Sequence, residues 1–419
     1  MGTKNTSIDL SPFQDTTATI NRGVIGREAE IMVFTVAILG GFNAVLIGAP
    51  GTAKSMIAKL LCEAYAPTEK HSTWLFHPQL TADEVIGGAD LETLVRDKRV
   101  EHRWAHSIGD AKLDVVILEE LFNATGGALT TMMTALNEGY IRGVDGIREI
   151  AATSFIGVTN EFPSGIGGRR RRGDIDMSAL WDRFHLRLGV DQLTSQTALC
   201  DALLARSKGR PAMTPVDAQW VTDVRAASAR ASEKAAGKMT LRERVAAWTH
   251  KVREEGLQFT DRRAGILLDV AATYGVLHGR EIPSSGDLQW AALRVGFEGL
   301  DSISIMADPE VSNLLIPELP TPVADFMTEA RIVHEEVEKL HEMAKADRGA
   351  IAETDGGAEQ FYMATKNRVT ELNQSLATLK AAGHGGFIDE AGFPEIRASL
   401  LKLLEAGSPI KTWAQSYNW

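Results

Sequence analysis

Four apolar residues, Ala44-Val45-Leu46-Ile47, open directly into the loop Gly48-Ala49-Pro50-Gly51-Thr52-Ala53-Lys54-Ser55, and Met56-Ile57-Ala58-Lys59-Leu60-Leu61 then continues at helical spacing. This strand–loop–helix order constrains the fold more than any other feature of the chain. It nearly matches G-x-x-x-x-G-K-[ST], in which backbone N–H groups and the N-terminus of the following helix bind phosphate oxygens. A tight structural turn is the alternative. On the phosphate reading, Gly48, Ala49, Pro50, Gly51, Thr52, Ala53, Lys54, Ser55 and Met56 contact the cofactor. Lys54 reaches the β- and γ-phosphates, and Ser55 ligates Mg²⁺. Ala53 stands where the pattern has Gly, and its methyl demands a negative φ. Gly48 and Gly51 retain flexibility.

Three further segments fit the same chemistry. In Asp114-Val115-Val116-Ile117-Leu118-Glu119-Glu120, four apolar residues form a buried strand with two carboxylates at its C-terminal end, where open α/β sheets bind ligands. Glu119, at a position where Asp is usual, would hold the Mg²⁺ shell, and Glu120 would act as general base toward water. Solvated acids at a strand end are the plain alternative. "FIGVTNEFP" ends a strand at Thr159-Asn160, and the Asn160 amide could orient the attacking water. Arg183 in "ALWDRFHLRL" lies too far along the chain to be an obvious ligand of the same nucleotide. Offered from a neighbouring subunit, it would stabilise transition-state charge; an ion pair with Asp182 is its alternative.

Strands at Ala44–Ile47, Asp114–Leu118 and Ser154–Val158 alternate with helices at Met56–Ala66 and Ala128–Asn137. That alternation implies a parallel α/β sheet. Gly139–Ile150, centred on Gly143, Asp145 and Gly146, reads as a β-hairpin. The expected layout is a flexible arm over 1–20, an α/β nucleotide-binding domain over 21–193, a helical lid over 194–316 and a helical extension over 317–419. In the lid, Ala264–Leu277 is helical, and Ser284 to Asp287 signals the next helix. In the extension, Phe326, Ala330, Val333, Val337, Leu340 and Ala344 form one apolar stripe. Tyr362, Thr365, Val369, Leu372, Leu376 and Leu379 form a second, as in an antiparallel helical hairpin.

Bulk composition excludes several classes. A net charge of −11 argues against sequence-blind nucleic-acid binding by the whole surface. Two cysteines, Cys62 and Cys200, form no CxxC pair and no disulfide framework. No apolar run reaches the length of a membrane span and no signal peptide opens the chain, so a cytoplasmic location is expected. His102 and His106 have a zinc-compatible spacing, but Arg103 replaces the Glu of a metalloprotease helix. Arg169 to Arg172 follow a Gly-rich stretch and suit either a solvated loop or an anionic partner. Trp413, Tyr417 and Trp419 crowd the C-terminal tail, either as a docking patch or packed on the chain itself.

The ordered series "NRGVIGRE", "LIGAPGTAKS", "VVILEEL", "MMTALNEGYI", "FIGVTNEFP" and "ALWDRF" resembles the MoxR branch of AAA+ ATPases over residues 20–300. It is most similar to RavA-type members, which also favour Ala before the lysine. The resemblance implies an AAA+ P-loop αβα core with a helical lid. It implies Val24 and Ile25 beside the adenine, Glu119 and Glu120 as Walker B, and Asn160 as sensor 1. It implies Arg183 as an arginine finger across a subunit boundary and Arg263 as sensor 2, with Arg262 as competitor. Ala89–Trp104 and Gly139–Ile150 occupy the places of inserts that face a ring pore. The implied function is Mg²⁺-dependent ATP hydrolysis by a hexameric ring that remodels a protein client, often with a partner bearing a von Willebrand factor A domain. ATP would set the angle between core and lid through Arg263. A nucleic-acid translocase and a non-hydrolysing nucleotide-gated scaffold are the rival functions. Against the first, the hairpin offers only Arg142 and Arg148 beside Asp145 and Glu149.

Overall fold

The computed structural model describes residues 8–67, 69–105, 107–124, 126–143, 146–160, 177–295, 311, 313–315, 326–337, 367–368, 371–372, 374–379 and 396. For 177 and 178 it describes the backbone only. The chain forms two compact units, one of residues 1–283 and 290–311 and the other of 284–289 and 312–419.

The first unit is built on a five-stranded parallel sheet. Its strands are β1 (Ala44–Gly48), β2 (His71–Leu75), β3 (Val115–Glu119), β6 (Ser154–Thr159) and β7 (Leu186–Val190), in the order β2-β3-β6-β1-β7. Strands β1, β3 and β6 are apolar runs with almost every residue buried, as central strands covered on both faces must be. The edge strands β2 (HSTWL) and β7 (LRLGV) interrupt their apolar residues with polar or charged ones, so neither reads as a continuous run in the sequence. A separate antiparallel hairpin, β4 (Tyr140–Gly143) and β5 (Gly146–Glu149), occupies the expected place.

Helix α1 (Ser11–Gly23) corrects the expectation of a flexible arm over 1–20. From Ser11 onward the chain is helical, with Phe13, Thr16 and Ile20 buried. Its Thr-rich composition concealed the stripe. Helix α2 (Glu28–Gly40) is buried nearly all round, in keeping with its almost uniform apolarity. Helix α3 (Lys54–Tyr65) follows the phosphate-loop segment. Between β2 and β3 lie α4 (Ala82–Ile86), ahead of the expected insert, and α5 (Leu91–Asp97), within it. An Ala89–His102 bridge closes the insert, and α5 buries none of its residues. Helices α6 (Gly126–Glu138) and α7 (Met177–Trp181) complete the α/β part.

Four helices follow: α8 (Gln196–Ser207), α9 (Ala218–Gly237), α10 (Met239–Glu254) and α11 (Asp261–Leu277). Trp248 of α10 is fully buried and meets Phe259 edge-on at 5.0 Å, anchoring α10 to the start of α11. Helix α12 (Ser285–Val295) begins at the predicted signal: the Ser284 N–H donates to Asp287 Oδ2 at 2.7 Å, and the Asp287 N–H donates back to Ser284 Oγ.

In the second unit a helix over 326–337 buries Phe326, Met327, Ala330, Val333 and Val337. Leu372 and Leu376 of the second stripe are also buried. Arg368 pairs with Glu329 at 2.6 Å and with Glu336, two carboxylates seven residues apart on that helix. Leu340, Ala344, Tyr362, Thr365, Val369, Arg169–Arg172 and the C-terminal aromatics lie outside the described residues.

Candidate nucleotide site

Gly48 ends β1 beside β7, where a Cβ would come within 2.1 Å of the Val190 carbonyl oxygen, so only glycine lets the chain leave the sheet here. The loop then turns through Gly51 (φ 82°) and Ala53 (φ 67°, ψ 9°) into α3. Ala53 thus departs from the expected negative φ. The turn into α3 imposes the left-handed conformation whatever residue stands there, at a cost of roughly 1–2 kcal/mol for an L side chain. Glu120, directly after β3, is also left-handed, at φ 55°. Such strain concentrates where a site needs a fixed backbone shape.

The loop surrounds its lysine. Lys54 is 4% exposed, and its Nζ donates to the carbonyls of Gly48 (2.6 Å) and Ala49 (2.9 Å), to Thr52 Oγ1 (3.2 Å) and to Asn160 Oδ1 (3.3 Å). Burial lowers its pKa, the Glu120 charge opposes that shift and the Arg27 charge adds to it. Glu120 is tied to β6: its N–H donates to the Val158 carbonyl at 2.7 Å, and its Oε2 accepts from the Asn160 N–H at 3.4 Å and from Asn123 Nδ2 at 3.3 Å. Lys54, Asn160 and Glu120, far apart in sequence, are therefore linked at the C-terminal ends of β1, β3 and β6. Glu119 points its Oε1 at Lys59 of α3, 3.1 Å away.

Beside the loop lies a cavity of about 660 Å³, within the usual range for small-molecule sites. Val24 and Ile25 line it with Pro50, Gly51, Thr52, Ala53 and Met56. Its far wall was not read from the sequence: Gln192, Leu193 and one face of α8 formed by Leu199, Ala202, Leu203 and Arg206. No short motif marks these residues; the available signal was their i, i+3, i+4, i+7 spacing. Leu199 and Leu203 are 50% and 60% exposed, large apolar faces open to the cavity.

These residues fit a nucleotide with Mg²⁺. Loop N–H groups and a buried ammonium suit the phosphates, and the apolar cavity walls suit a base. Among the described residues no group of three or more His, Cys, Asp or Glu could hold a metal alone. The Ser55 hydroxyl and the glutamates instead suit Mg²⁺ that arrives with phosphate oxygens. His102 Nδ1 lies 2.7 Å from the Gly87 carbonyl oxygen, and His106 lies outside the described residues, so the zinc spacing gains no support.

Arg183 and Arg263 lie elsewhere. Asn43, just before β1, donates through Nδ2 to the Arg183 carbonyl and through its N–H to His185 Nδ1, both at 3.1 Å. This places Arg183 at the N-terminal edge of the sheet, one strand length (about 16 Å for five residues) from the loop. Asp182 there meets Arg263 Nε at 2.8 Å, Arg183 at 3.4 Å and the fully buried Arg187 at 3.8 Å. Arg263 also donates to the Gln258 carbonyl, and Arg262 donates to Asn137 Oδ1. The Asp182 ion pair anticipated for Arg183 is thus present. Asp182 also holds the guanidinium of Arg263, the residue expected to set the angle between core and lid. Burial, helped by the charge of Arg262 and opposed by Asp182, lowers the pKa of Arg183.

Residues 11–220 match the family model described as the MoxR domain in the MoxR-vWA-beta-propeller ternary systems. Two uncharacterized proteins of Methanocaldococcus jannaschii are similar, one 22% identical over 64% of this chain and 67% of its own, the other 23% identical over 46% and 48%. The chain therefore spans two thirds of the first relative and about half of the second. A solved structure from Cytophaga hutchinsonii, described as a candidate ATPase, superposes with a TM-score of 0.55 at 14% identity, covering 73% of this chain and 94% of that one. That likeness bears on the fold.

Proposed function

Because the chain belongs to the MoxR family of AAA+ ATPases, we propose that it hydrolyses Mg-ATP at a site shared by two copies and uses the cycle to remodel a protein client. The observation that carries this reading is the separation just described: Lys54, Asn160 and Glu120 are linked at one edge of the sheet and Arg183 stands at the other. One chain cannot bring both to one phosphate, whereas a head-to-tail neighbour can, and repeated head-to-tail contacts close into rings. A hexamer, closeness to RavA-type members through Ala53, and a cytoplasmic setting suited to the free thiols of Cys62 and Cys200 belong to the same proposal.

Lys54 and the loop N–H groups bind the β- and γ-phosphates, while Val24, Ile25, Leu199 and Leu203 enclose the base. Ser55 and Glu119 would hold Mg²⁺, which when bound would supply positive charge against the phosphates. Glu120 accepts the proton of the attacking water, and Asn160, bonded to both Lys54 and Glu120, orients that water. Arg183 of the next copy stabilises the charge on the transferred group. The family description supports a von Willebrand factor A domain partner and a β-propeller partner. Of the two hairpin arginines, Arg148 donates to the Gly109 carbonyl and lies over Trp104, which weakens the case for a nucleic-acid pore.

Complementation tests the shared site. E120Q and R183A are each expected to lose at least ~100-fold in turnover while still binding nucleotide. Mixed one to one, they re-form complete sites at about a quarter of the seams, so activity returns. Two folded, oligomeric variants that give no recovery would remove the shared site.

A further inference from the structure

Lys59 lies one helical turn beyond Ser55, so the two side chains share a face of α3. Its Nζ is 3.1 Å from Glu119 Oε1 at the end of β3, with the lysine side chain 42% and the glutamate 19% exposed. Oε1 is shut off from solvent and accepts no directed hydrogen bond, so the contact is ionic. Phosphate-loop sites commonly place Asp at this strand end. Glu119 is one methylene longer, and Lys59 draws that extra length back onto α3.

Two carboxylates on consecutive residues at a strand end attract a divalent cation unless a nearby positive charge opposes it. Lys54 is engaged with the loop carbonyls and Asn160. Lys59 supplies the counter-charge at Glu119.

We propose that Lys59 is a positioning residue for Glu119, and that its fixed charge keeps divalent cations off the Glu119–Glu120 pair until they arrive bound to a nucleotide. This rests on the reading of the site as one for Mg-nucleotide. An ordered arrival of metal and phosphate together follows from the charges: the nucleotide brings the negative charge that outweighs Lys59.

The test is Mn²⁺ binding to the nucleotide-free full-length protein, followed by electron paramagnetic resonance. K59M is expected to bind Mn²⁺ about fivefold more tightly than wild type, a modest gain because Lys59 is partly solvated. K59R should match wild type, and K59M combined with E119Q should show no gain. Equal affinity in K59M and wild type overturns the proposal, as does a K59R as tight as K59M, a gain that survives E119Q, or no detectable Mn²⁺ binding in any variant. Binding of a fluorescent ATP analogue by wild type in Mg²⁺ separates the two readings. If the analogue does not bind, the nucleotide site itself is wrong; if it binds while K59M behaves as wild type, only the role of Lys59 fails.

Discussion

At the C-terminal edge of the sheet, Lys54 and Lys59 face Glu119 and Glu120; at the N-terminal edge, three arginines share the single carboxylate of Asp182. The first edge matches its own charges and holds them on a strained backbone. The second is left with excess positive charge, part of it buried. Arg262 adds to that excess, since its charge helps lower the pKa of Arg183. A partly desolvated surplus of one sign is costly within a chain and favourable against a partner of the other sign. Under the shared-site proposal, these edges are the two surfaces that would meet a nucleotide's phosphates when a second copy docks.

Three measurements would break or sharpen this contrast. The largest effect is expected from D182A, which leaves Arg187 and Arg263 buried without their carboxylate. A loss of about 4 kcal/mol is expected, read as a lower midpoint in denaturant, with nucleotide affinity unchanged if the two edges are independent. Weakened nucleotide binding in a folded D182A protein would show that they communicate within one chain.

Acid sensitivity should localise to the N-terminal edge. Burial, reinforced by Arg187, Arg262 and Arg183 and opposed by Asp182, pushes His185 down to about 4, and its Nδ1 accepts the Asn43 N–H. The folded state therefore keeps this imidazole neutral while the unfolded state protonates it below pH 6.5. The stability it contributes is complete above that pH and is lost as the pH falls toward 4, by up to about 3 kcal/mol. Unfolding of H185N between pH 7 and 4 should show a smaller loss than wild type, and parallel curves would remove His185 as a source.

The smallest effect belongs to the other edge. A53G relieves a left-handed alanine but adds freedom to the unfolded chain, for a net gain of roughly 0.5 kcal/mol. A thermal midpoint lowered by the substitution would mean that Ala53 is not strained.

Legibility in the sequence followed burial pattern and local geometry. The central strands and α3 were legible because uninterrupted apolar runs and a glycine-rich loop declare themselves within a dozen residues. Strands β2 and β7 were not, since an edge position permits His71, Ser72 and Arg187, and α1 was hidden by its threonines. The loop residues, Glu119, Glu120 and Asn160 were readable as candidates from their places at strand ends. Leu199, Leu203 and Arg206 were not, because a cavity wall from a later helix leaves no local signature. Arg263 could be picked out by family likeness, but the carboxylate that holds it could not.

By itself the sequence determined the α/β character, the strand–loop–helix segment around Lys54 and the chemical types offered at the strand ends, because each depends on local periodicity and on residues adjacent in the chain. Tertiary structure alone decided which of these groups meet. Parallel strands carry every strand end of one polarity to the same edge, which gathers Lys54, Glu120 and Asn160 and consigns Arg183 and Arg263 to the opposite one. Side-chain identity names the charges, but the direction of the strands sorts them.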